Sequence, residues 1–217
     1  RALDERLGRH VALKWMHFHE HDGLRDAAFA RFVREARAAA LVRHPNVVQV
    51  LDVSADASTP FIIMELLEGE SLRDRLARGR LSWAQAIPII GSILDGLAAL
   101  HAAGVVHRDI KPSNVFLTRG GESDAAVKVL DLGVAHIAEA EGLSGLTGTG
   151  TQLGTPAYMP LEQLRGERVG ASADLYAVGV VLYEVVAGVR PFAARTAADL
   201  AVQIAITRAP DLDASHG

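Results

Sequence analysis

The first third of the chain alternates short apolar runs with polar segments, a pattern typical of strands around one helix. Val11 to Met16 is an apolar run interrupted by Lys14, and Val47 to Val53 and Phe61 to Glu65 are two more. Between these runs, apolar residues recur at helical spacing. We expect this helix to end at Pro45, because proline disfavours the α conformation of the preceding residue. The residues at this spacing are Phe29, Phe32, Val33, Ala36 and Ala40.

After Gly69 the periodicity becomes that of helices. One long helix contains Pro88, which should strain it, and Gly104 is expected to close it. Two short runs, Val115 to Leu117 and Val127 to Leu130, predict a hairpin. The predicted helices are Ser71 to Gly79, Ser82 to Ala103, Asp174 to Ala187 and Ala197 to Thr207.

These patterns predict an α+β chain of two lobes. Residues 1–66 form a small β-rich lobe and residues 67–217 a larger α-helical lobe. A cleft between lobes is where small ligands usually bind. The most apolar stretch, Leu175 to Val189, is shorter than the ~18 residues that a spanning helix needs. It also contains Glu184, so we expect no membrane segment in this span.

Composition and charge exclude several classes of protein. A chain of 217 residues that is 49% hydrophobic can bury a sizeable core and is not disordered throughout. The 22 basic and 26 acidic residues give a net charge of −4, which argues against a nucleic-acid binder. The absence of cysteine excludes disulfides, a thiolate nucleophile and Cys-ligated zinc.

Polar residues with catalytic potential follow the long helix. The run His107-Arg108-Asp109-Ile110-Lys111-Pro112-Ser113-Asn114 precedes the predicted hairpin, and Asp131-Leu132-Gly133 follows it. Upstream lie Lys14, in an otherwise apolar strand, and Glu35, on the next helix. This ordered set resembles that of the eukaryotic-type Ser/Thr protein kinase catalytic domains, most closely the bacterial members. The resemblance covers the chain from Arg1 to about Phe192.

The resemblance implies a role for each polar residue of the catalytic loop. Asp109 would accept the proton of the substrate hydroxyl and orient its oxygen for in-line attack. Lys111 would stabilise the transferring phosphoryl group. Asn114 and Asp131 would be ligands of Mg²⁺, which prefers hard oxygen donors.

The same resemblance implies an ATP site between the lobes. Lys14 would contact the α and β phosphates and would be held by an ion pair with Glu35. The residues expected around the adenine are Ala12, Met64, Phe116 and the backbone of Glu65 and Leu67.

Regulation is expected at the loop after Asp131. Arg108, beside the catalytic Asp, is placed to pair with a phosphate on that loop. Thr147 and Thr149 lie where bacterial relatives autophosphorylate, and the alternative is that they are only solvated linker residues. Thr155, in Gly-Thr-Pro, is expected to shape the substrate site.

Three further residues are assigned structural roles. His107 belongs to the catalytic-loop motif. Asp174 would hydrogen-bond the backbone of that loop, and it would also suit a helix N-cap, worth about 1 kcal/mol. Glu162, in Pro-Leu-Glu where Ala-Pro-Glu is usual, would pair with an arginine of a late helix.

Three departures from the family pattern, namely the phosphate lid, the Pro-Leu-Glu in place of Ala-Pro-Glu and the final helices, leave a second interpretation open. By register, the first strand and glycine-rich phosphate lid belong just before Arg1, and the final helices belong after Gly217. We therefore expect residues 1–217 alone to have weak activity or none, because the lid supplies backbone donors to the phosphates. The alternative function is a catalytically impaired, kinase-like binding or scaffold module.

The implied partners are ATP, Mg²⁺ and proteins that present Ser or Thr, with a second kinase-domain copy for autophosphorylation. The implied setting is bacterial signal transduction, in the cytoplasm or as the cytoplasmic domain of a membrane-anchored receptor. Three histidines between His17 and Asp22 also suggest a metal site, but a polar loop is the favoured interpretation there.

Overall fold

A four-stranded antiparallel sheet and one helix form the N-terminal part of the protein. The computed structural model describes residues 1–15, 25–54, 60–119, 127–131, 156–194 and 196–212. The strands lie in the order β1-β2-β4-β3, and α1 packs on β3. These elements are β1 Ala2–Asp4, β2 Arg9–Trp15, α1 Arg25–Ala40, β3 Val50–Val53 and β4 Phe61–Glu65.

Helices and a small three-stranded sheet form the C-terminal part. That sheet has the order β5-β6-β7, and 3₁₀ turns cover Pro112–Asn114 and Pro156–Tyr158. The predicted α+β organisation is confirmed. The elements are β5 Gly69–Ser71, α2 Leu72–Leu76, α3 Trp83–Ala102, β6 Val115–Thr118, β7 Val127–Val129, α4 Leu161–Leu164, α5 Ala171–Ala187 and α6 Ala197–Ile206.

The segment between α1 and β3 differs from its prediction. Helix α1 ends at Ala40, well before Pro45, and the third strand begins only at Val50. The reason is a competing contact with the other lobe. Val47 forms an isolated bridge with Val129, and the Val48 amide donates to the Val129 carbonyl at 2.9 Å. These backbone groups are therefore satisfied by β7 and not by the N-terminal sheet.

Three other elements also differ from their predictions. Helix α2 starts at Leu72 because the Ser71 hydroxyl accepts from the Asp74 amide at 3.1 Å in a capping box. Helix α5 starts at Ala171 with Gly170 as its N-cap, so the expectation that Asp174 caps it is wrong. Strand β5 was missed because Gly69–Ser71 has no apolar residue.

Helix α3 is the central helix of the C-terminal lobe and contacts α5 and β7. Among the described residues, α3 is the one helix long and apolar enough to cross a membrane by length and composition. Its buried face packs in the core through Ile90, Ile93, Leu97 and Leu100, as expected of a core helix. The helix continues through Pro88. Gly104, at φ +74°, follows its end in the left-handed conformation that favours glycine.

One glycine of α3 allows the two lobes to approach. A Cβ at Gly96 would lie 2.7 Å from the carbonyl oxygen of Asn46, which is backbone and cannot move aside easily. Gly91, on the same helix, is exposed and has nothing within 4 Å of the same position.

We predict opposite effects of alanine at these two glycines. Gly91→Ala should stabilise the protein by about 0.5–1 kcal/mol, because alanine favours helix. Gly96→Ala should destabilise it by about 1–3 kcal/mol, because the added methyl overpacks the contact with Asn46. Urea unfolding measures both changes. Equal stability of the two variants would contradict the close approach.

Candidate active site

Three side chains of the catalytic loop form one hydrogen-bonded cluster. One carboxylate oxygen of Asp109 accepts from Lys111 Nζ and from Asn114 Nδ2, both at 2.8 Å. Asn114 is buried in the 3₁₀ turn, and its amide also donates to the Asp109 carbonyl. The cluster therefore holds the Asp109 carboxylate beside a cation in one fixed orientation.

A buried carboxylate on α5 anchors the loop that carries this cluster. Asp174 is only 1% exposed and accepts hydrogen bonds from the backbone amides of His107, at 2.9 Å, and Arg108, at 2.7 Å. His101 Nε2, at the end of α3, lies 2.7 Å from the same carboxylate. The burial of Asp174 is thus compensated by three polar partners, as a buried carboxylate requires.

His107 joins the loop to the exit of β7. Its ring is fully buried, with Nε2 at 2.6 Å from the Leu130 carbonyl and Nδ1 at 3.2 Å from the Asp109 amide. A carbonyl only accepts and an amide only donates, so Nε2 carries the proton and Nδ1 accepts. His107 therefore fixes the backbone of the C-terminal lobe at two places, next to Asp109 and next to Asp131.

Two residues of the site adopt the left-handed conformation. Arg108 has φ +63° and Asp131 has φ +53°. This region is uncommon for residues other than glycine, and such strain, of order 1–3 kcal/mol, concentrates at functional sites. Around Arg108 the amide bond to Asp174 and the bond from Gln163 Nε2 to the Arg108 carbonyl, 3.0 Å, stabilise the strained backbone.

The charged residues opposite the loop have partners that differ from the expected ones. Lys14 Nζ lies 2.7 Å from Asp131 Oδ1, and the Glu35 carboxylate lies 3.8 Å from the Arg108 guanidinium. These two contacts are not the ion pair that was expected between Lys14 and Glu35. Lys14 therefore connects the N-terminal sheet to the second residue after β7, and Glu35 connects α1 to the catalytic loop.

The residues expected around adenine lie on both sheets. Ala12 and Met64 are directly paired in β2 and β4, and Ala12 shares its strand face with Lys14. Phe116 lies on β6, opposite Ser71 of β5. A Cβ at Gly69 would lie 3.0 Å from the Phe116 ring, which shows how closely the chain between the lobes approaches it. Leu67 is half-buried against the core.

The donor chemistry at Asn114 and Asp131 fits a magnesium ion. The Asn114 amide nitrogen is committed to Asp109, which leaves its side-chain oxygen as the group that can face a cation. Asp131 supplies a carboxylate one residue beyond Leu130, whose amide donates to the Asn114 carbonyl at 2.8 Å. One amide and one carboxylate oxygen suit Mg²⁺, which takes its other ligands from phosphates and water.

Two tyrosines outside the catalytic loop, Tyr158 and Tyr176, lie close to carboxylates. The Tyr158 hydroxyl donates to Glu184 at 2.6 Å. Burial, together with this hydrogen bond, raises the pKa of Tyr158 well above its usual range. Burial and the negative charge of Glu162 also raise the pKa of Tyr176. Among described residues, no hydrogen bond is formed by the buried Tyr176 hydroxyl.

Several expected residues lie outside the described part of the chain. These are Leu132 and Gly133 of the second motif, the activation-loop residues Thr147, Thr149 and Thr155, and the histidines between His17 and Asp22.

Sequence reasoning missed three residues that support the site. His101 contacts Asp174, Gln163 contacts the loop backbone, and Lys128 forms an ion pair with Glu65 at 2.7 Å. Only His101 had a usable signal, since it lies in the last turn of the helix that leads into the loop. The other two contacts join residues 55 and 63 positions apart in the chain.

Comparison with known proteins agrees with this arrangement. The protein kinase domain family matches residues 1–212, and the chain belongs to that family. It is 41% identical over 187 residues to the serine/threonine-protein kinase pkn2 of Myxococcus xanthus, covering 86% of the chain and 22% of that protein. It is 45% identical over 199 residues to a probable serine/threonine-protein kinase of Streptomyces coelicolor, covering 88% and 28%.

The chain spans a larger share of a third relative. The serine/threonine-protein kinase PknL of Mycobacterium tuberculosis is 40% identical over 205 residues, covering 94% of the chain and 49% of that protein. The chain therefore spans about half, or less, of the curated relatives named here.

We predict that Asp174→Asn destabilises the protein by about 1–3 kcal/mol or more. The new amide group would turn an N–H donor toward the His107 or Arg108 amide, and the remaining oxygen cannot serve all three partners. Chemical unfolding measures the loss. Asp95→Asn, an exposed carboxylate on α3, is the matched control and should change stability by less than about 0.5 kcal/mol. Equal stability of the two variants would contradict the anchoring role.

Proposed function

We propose that this chain is the catalytic domain of a protein serine/threonine kinase, which transfers the γ-phosphoryl group of ATP to Ser or Thr hydroxyls of proteins. The observation that carries the proposal is the cluster of Asp109, Lys111 and Asn114, held beside the pair of Lys14 and Asp131. Names of the relatives given above support the same activity.

In this proposal Asp109 orients the acceptor hydroxyl and takes its proton as the phosphoryl group transfers. Its contacts with Lys111 and Asn114 fix the carboxylate before the substrate arrives, so that little reorganisation is needed. Lys111 also places a positive charge beside the attacking oxygen, where negative charge on the phosphoryl group must be stabilised.

The nucleotide would lie between the two sheets. Ala12, Met64 and Phe116 provide apolar surface for the adenine, with the Glu65 and Leu67 backbone at its edge. Lys14 would bind the α and β phosphates. Asn114 and Asp131 would hold Mg²⁺, which, when bound, neutralises phosphate charge.

Regulation by phosphorylation is part of the proposal. The Arg108 side chain is three-quarters buried, and its Nε atom makes no hydrogen bond among the described residues. A phosphate on the activation loop would supply acceptor oxygens to that guanidinium. It would also compete with Glu35 for Arg108.

The proposed activity also suggests its setting. ATP and Mg²⁺ are available in the cytoplasm, where the domain would act either in a free protein or as the inner part of a membrane-anchored receptor. Autophosphorylation between molecules would need a second copy of the domain.

We predict that Asp109→Asn lowers kcat for phosphorylation of a Ser/Thr peptide by about 10²–10⁴-fold in the full-length protein. Binding of Mg²⁺–ATP should be retained, because Asp109 acts on the acceptor. Asp95→Asn is the control and should have normal activity. Nucleotide binding by a folded wild-type protein that transfers no phosphate would favour the alternative of a binding or scaffold module.

We also predict that Thr147 and Thr149 carry phosphate in the active full-length protein. Intact mass and peptide mapping would detect the modification, and Asp109→Asn should abolish it if the protein modifies itself. An active enzyme with both threonines unmodified would contradict this part of the proposal.

A further inference from the structure

The ion pair between Lys128 and Glu65, which precedes the chain segment that connects the lobes, has no part in the mechanism above. We propose that Lys128 is a positioning residue for the nucleotide, acting through its ion pair with Glu65. This pair, the Glu65–Lys128 bridge, would fix the backbone at the adenine edge relative to the strand that leads to Asp131. The inference rests on the proposed function, because it assumes that the cleft binds ATP.

The Glu65–Lys128 bridge joins the two lobes directly. Lys128 Nζ lies 2.7 Å from Glu65 Oε1 and 3.4 Å from the Val47 carbonyl. Glu65 ends β4 of the N-terminal sheet, and Lys128 is the central residue of β7. The side chains are 30% and 18% exposed, respectively, so the pair is partly shielded from water and from salt.

Glu65 is held by its backbone as well as by its side chain. The carboxylate oxygen that meets Lys128 also accepts from the Gln49 amide at 2.8 Å. The Glu65 amide donates to the Gln49 carbonyl at 3.0 Å. Residue 65 therefore has little freedom, and the backbone groups that would face adenine are fixed by these contacts.

The segment that contains Gln49, residues 46–49, is itself hydrogen-bonded to β7 through Asn46. The Val129 amide donates to the Asn46 carbonyl at 2.8 Å, and the Asn46 side chain donates to the Val127 carbonyl at 2.8 Å. Strand β7 thus makes contact with the 46–49 segment through its backbone and with Glu65 through Lys128. This double attachment makes the position of Glu65 depend on that of β7.

Both ends of the bridge lead to the proposed nucleotide site. Glu65 is paired with Val11 in the sheet, next to Ala12 and Met64. Lys128 is paired with Phe116 across the hairpin, so the two side chains leave the same face of it. Three residues after Lys128 comes Asp131. The bridge therefore links the residues proposed for adenine with the residue proposed for Mg²⁺.

Stability alone would not reveal such a role. Replacing a partly buried ion pair by apolar groups is often neutral for folding. A positioning role requires that nucleotide affinity changes and that the two residues act together. The informative measurement is therefore a double-mutant cycle read out by binding.

The test uses Lys128→Met, Glu65→Gln and the double variant in the full chain. Methionine keeps an aliphatic stem without the charge, and glutamine keeps an oxygen for the Gln49 amide. Fluorescence titration with methylanthraniloyl-ADP and Mg²⁺ gives Kd without any phosphoryl transfer. We expect each single variant to weaken binding about tenfold and the double variant to be no weaker than either. Lys128→Arg should remain within about threefold of wild type, because it restores the charge.

Arg78→Met is the matched control. It removes the cation of a second ion pair, that of Arg78 with Glu70, which lies on the surface of the C-terminal lobe. Its Kd should equal that of wild type. Circular dichroism identifies any unfolded variant. If Lys128→Met does not fold, the inference is tested by comparing the Kd of Glu65→Gln, which should be weakened, with that of Lys128→Arg, which should be close to wild type.

Three results would overturn the inference. They are an unchanged Kd in folded Lys128→Met and Glu65→Gln, additive effects in the double variant, or tighter binding when the bridge is broken. The proposed function fails separately, when wild-type protein binds no Mg²⁺–nucleotide. If wild type binds nucleotide but transfers no phosphate, the proposed activity is wrong and the binding cycle still tests the bridge.

Discussion

The buried carboxylate of Asp174 is the constraint on which the rest of the site depends. It accepts two consecutive backbone amides and contacts His101 while only 1% exposed. Leaving such amides without an acceptor in a buried position costs the full desolvation of each group. This anchor allows Arg108 to keep its left-handed conformation, so the side chains on either side of Arg108 can point in different directions. His107 then points inward to β7, and Asp109 joins the polar cluster with Lys111 and Asn114.

The two sides of the cleft are connected by charge as well as by backbone. Lys14 contacts Asp131, Glu35 contacts Arg108, and Lys128 contacts Glu65, so each ion pair joins an element of the N-terminal lobe to the C-terminal lobe. All three pairs are partly shielded from water, where ion pairs are less screened than at an open surface. The relative position of the lobes is therefore coupled to the charges that would bind nucleotide. The Arg108 contact is the one of the three that a loop phosphate would alter directly.

Much of the fold could be predicted from the sequence, and the errors have a common cause. Strand β4 and helix α3 follow their hydrophobic patterns closely, since each buries one face against its own lobe. The prediction failed at residues 46–48 because their hydrogen bonds go to β7, more than 80 positions away in the chain. It also failed for the start of α5, which begins at Ala171 and not at Asp174, whereas the hydrogen bonds expected from Asp174 to the catalytic-loop backbone are present. Local patterns carry no information about such distant partners.

The sequence by itself determined the family of this chain and its set of candidate site residues. The order and spacing of Lys14, Asp109, Asn114 and Asp131 identify the family, because few other folds need those residue types in that order. The tertiary structure decided which charges meet. It placed Lys14 with Asp131 and Glu35 with Arg108, and it brought Lys128 to Glu65. Ion pairing depends on distances of a few ångströms between side chains far apart in the chain, and only packing of the two lobes sets those distances.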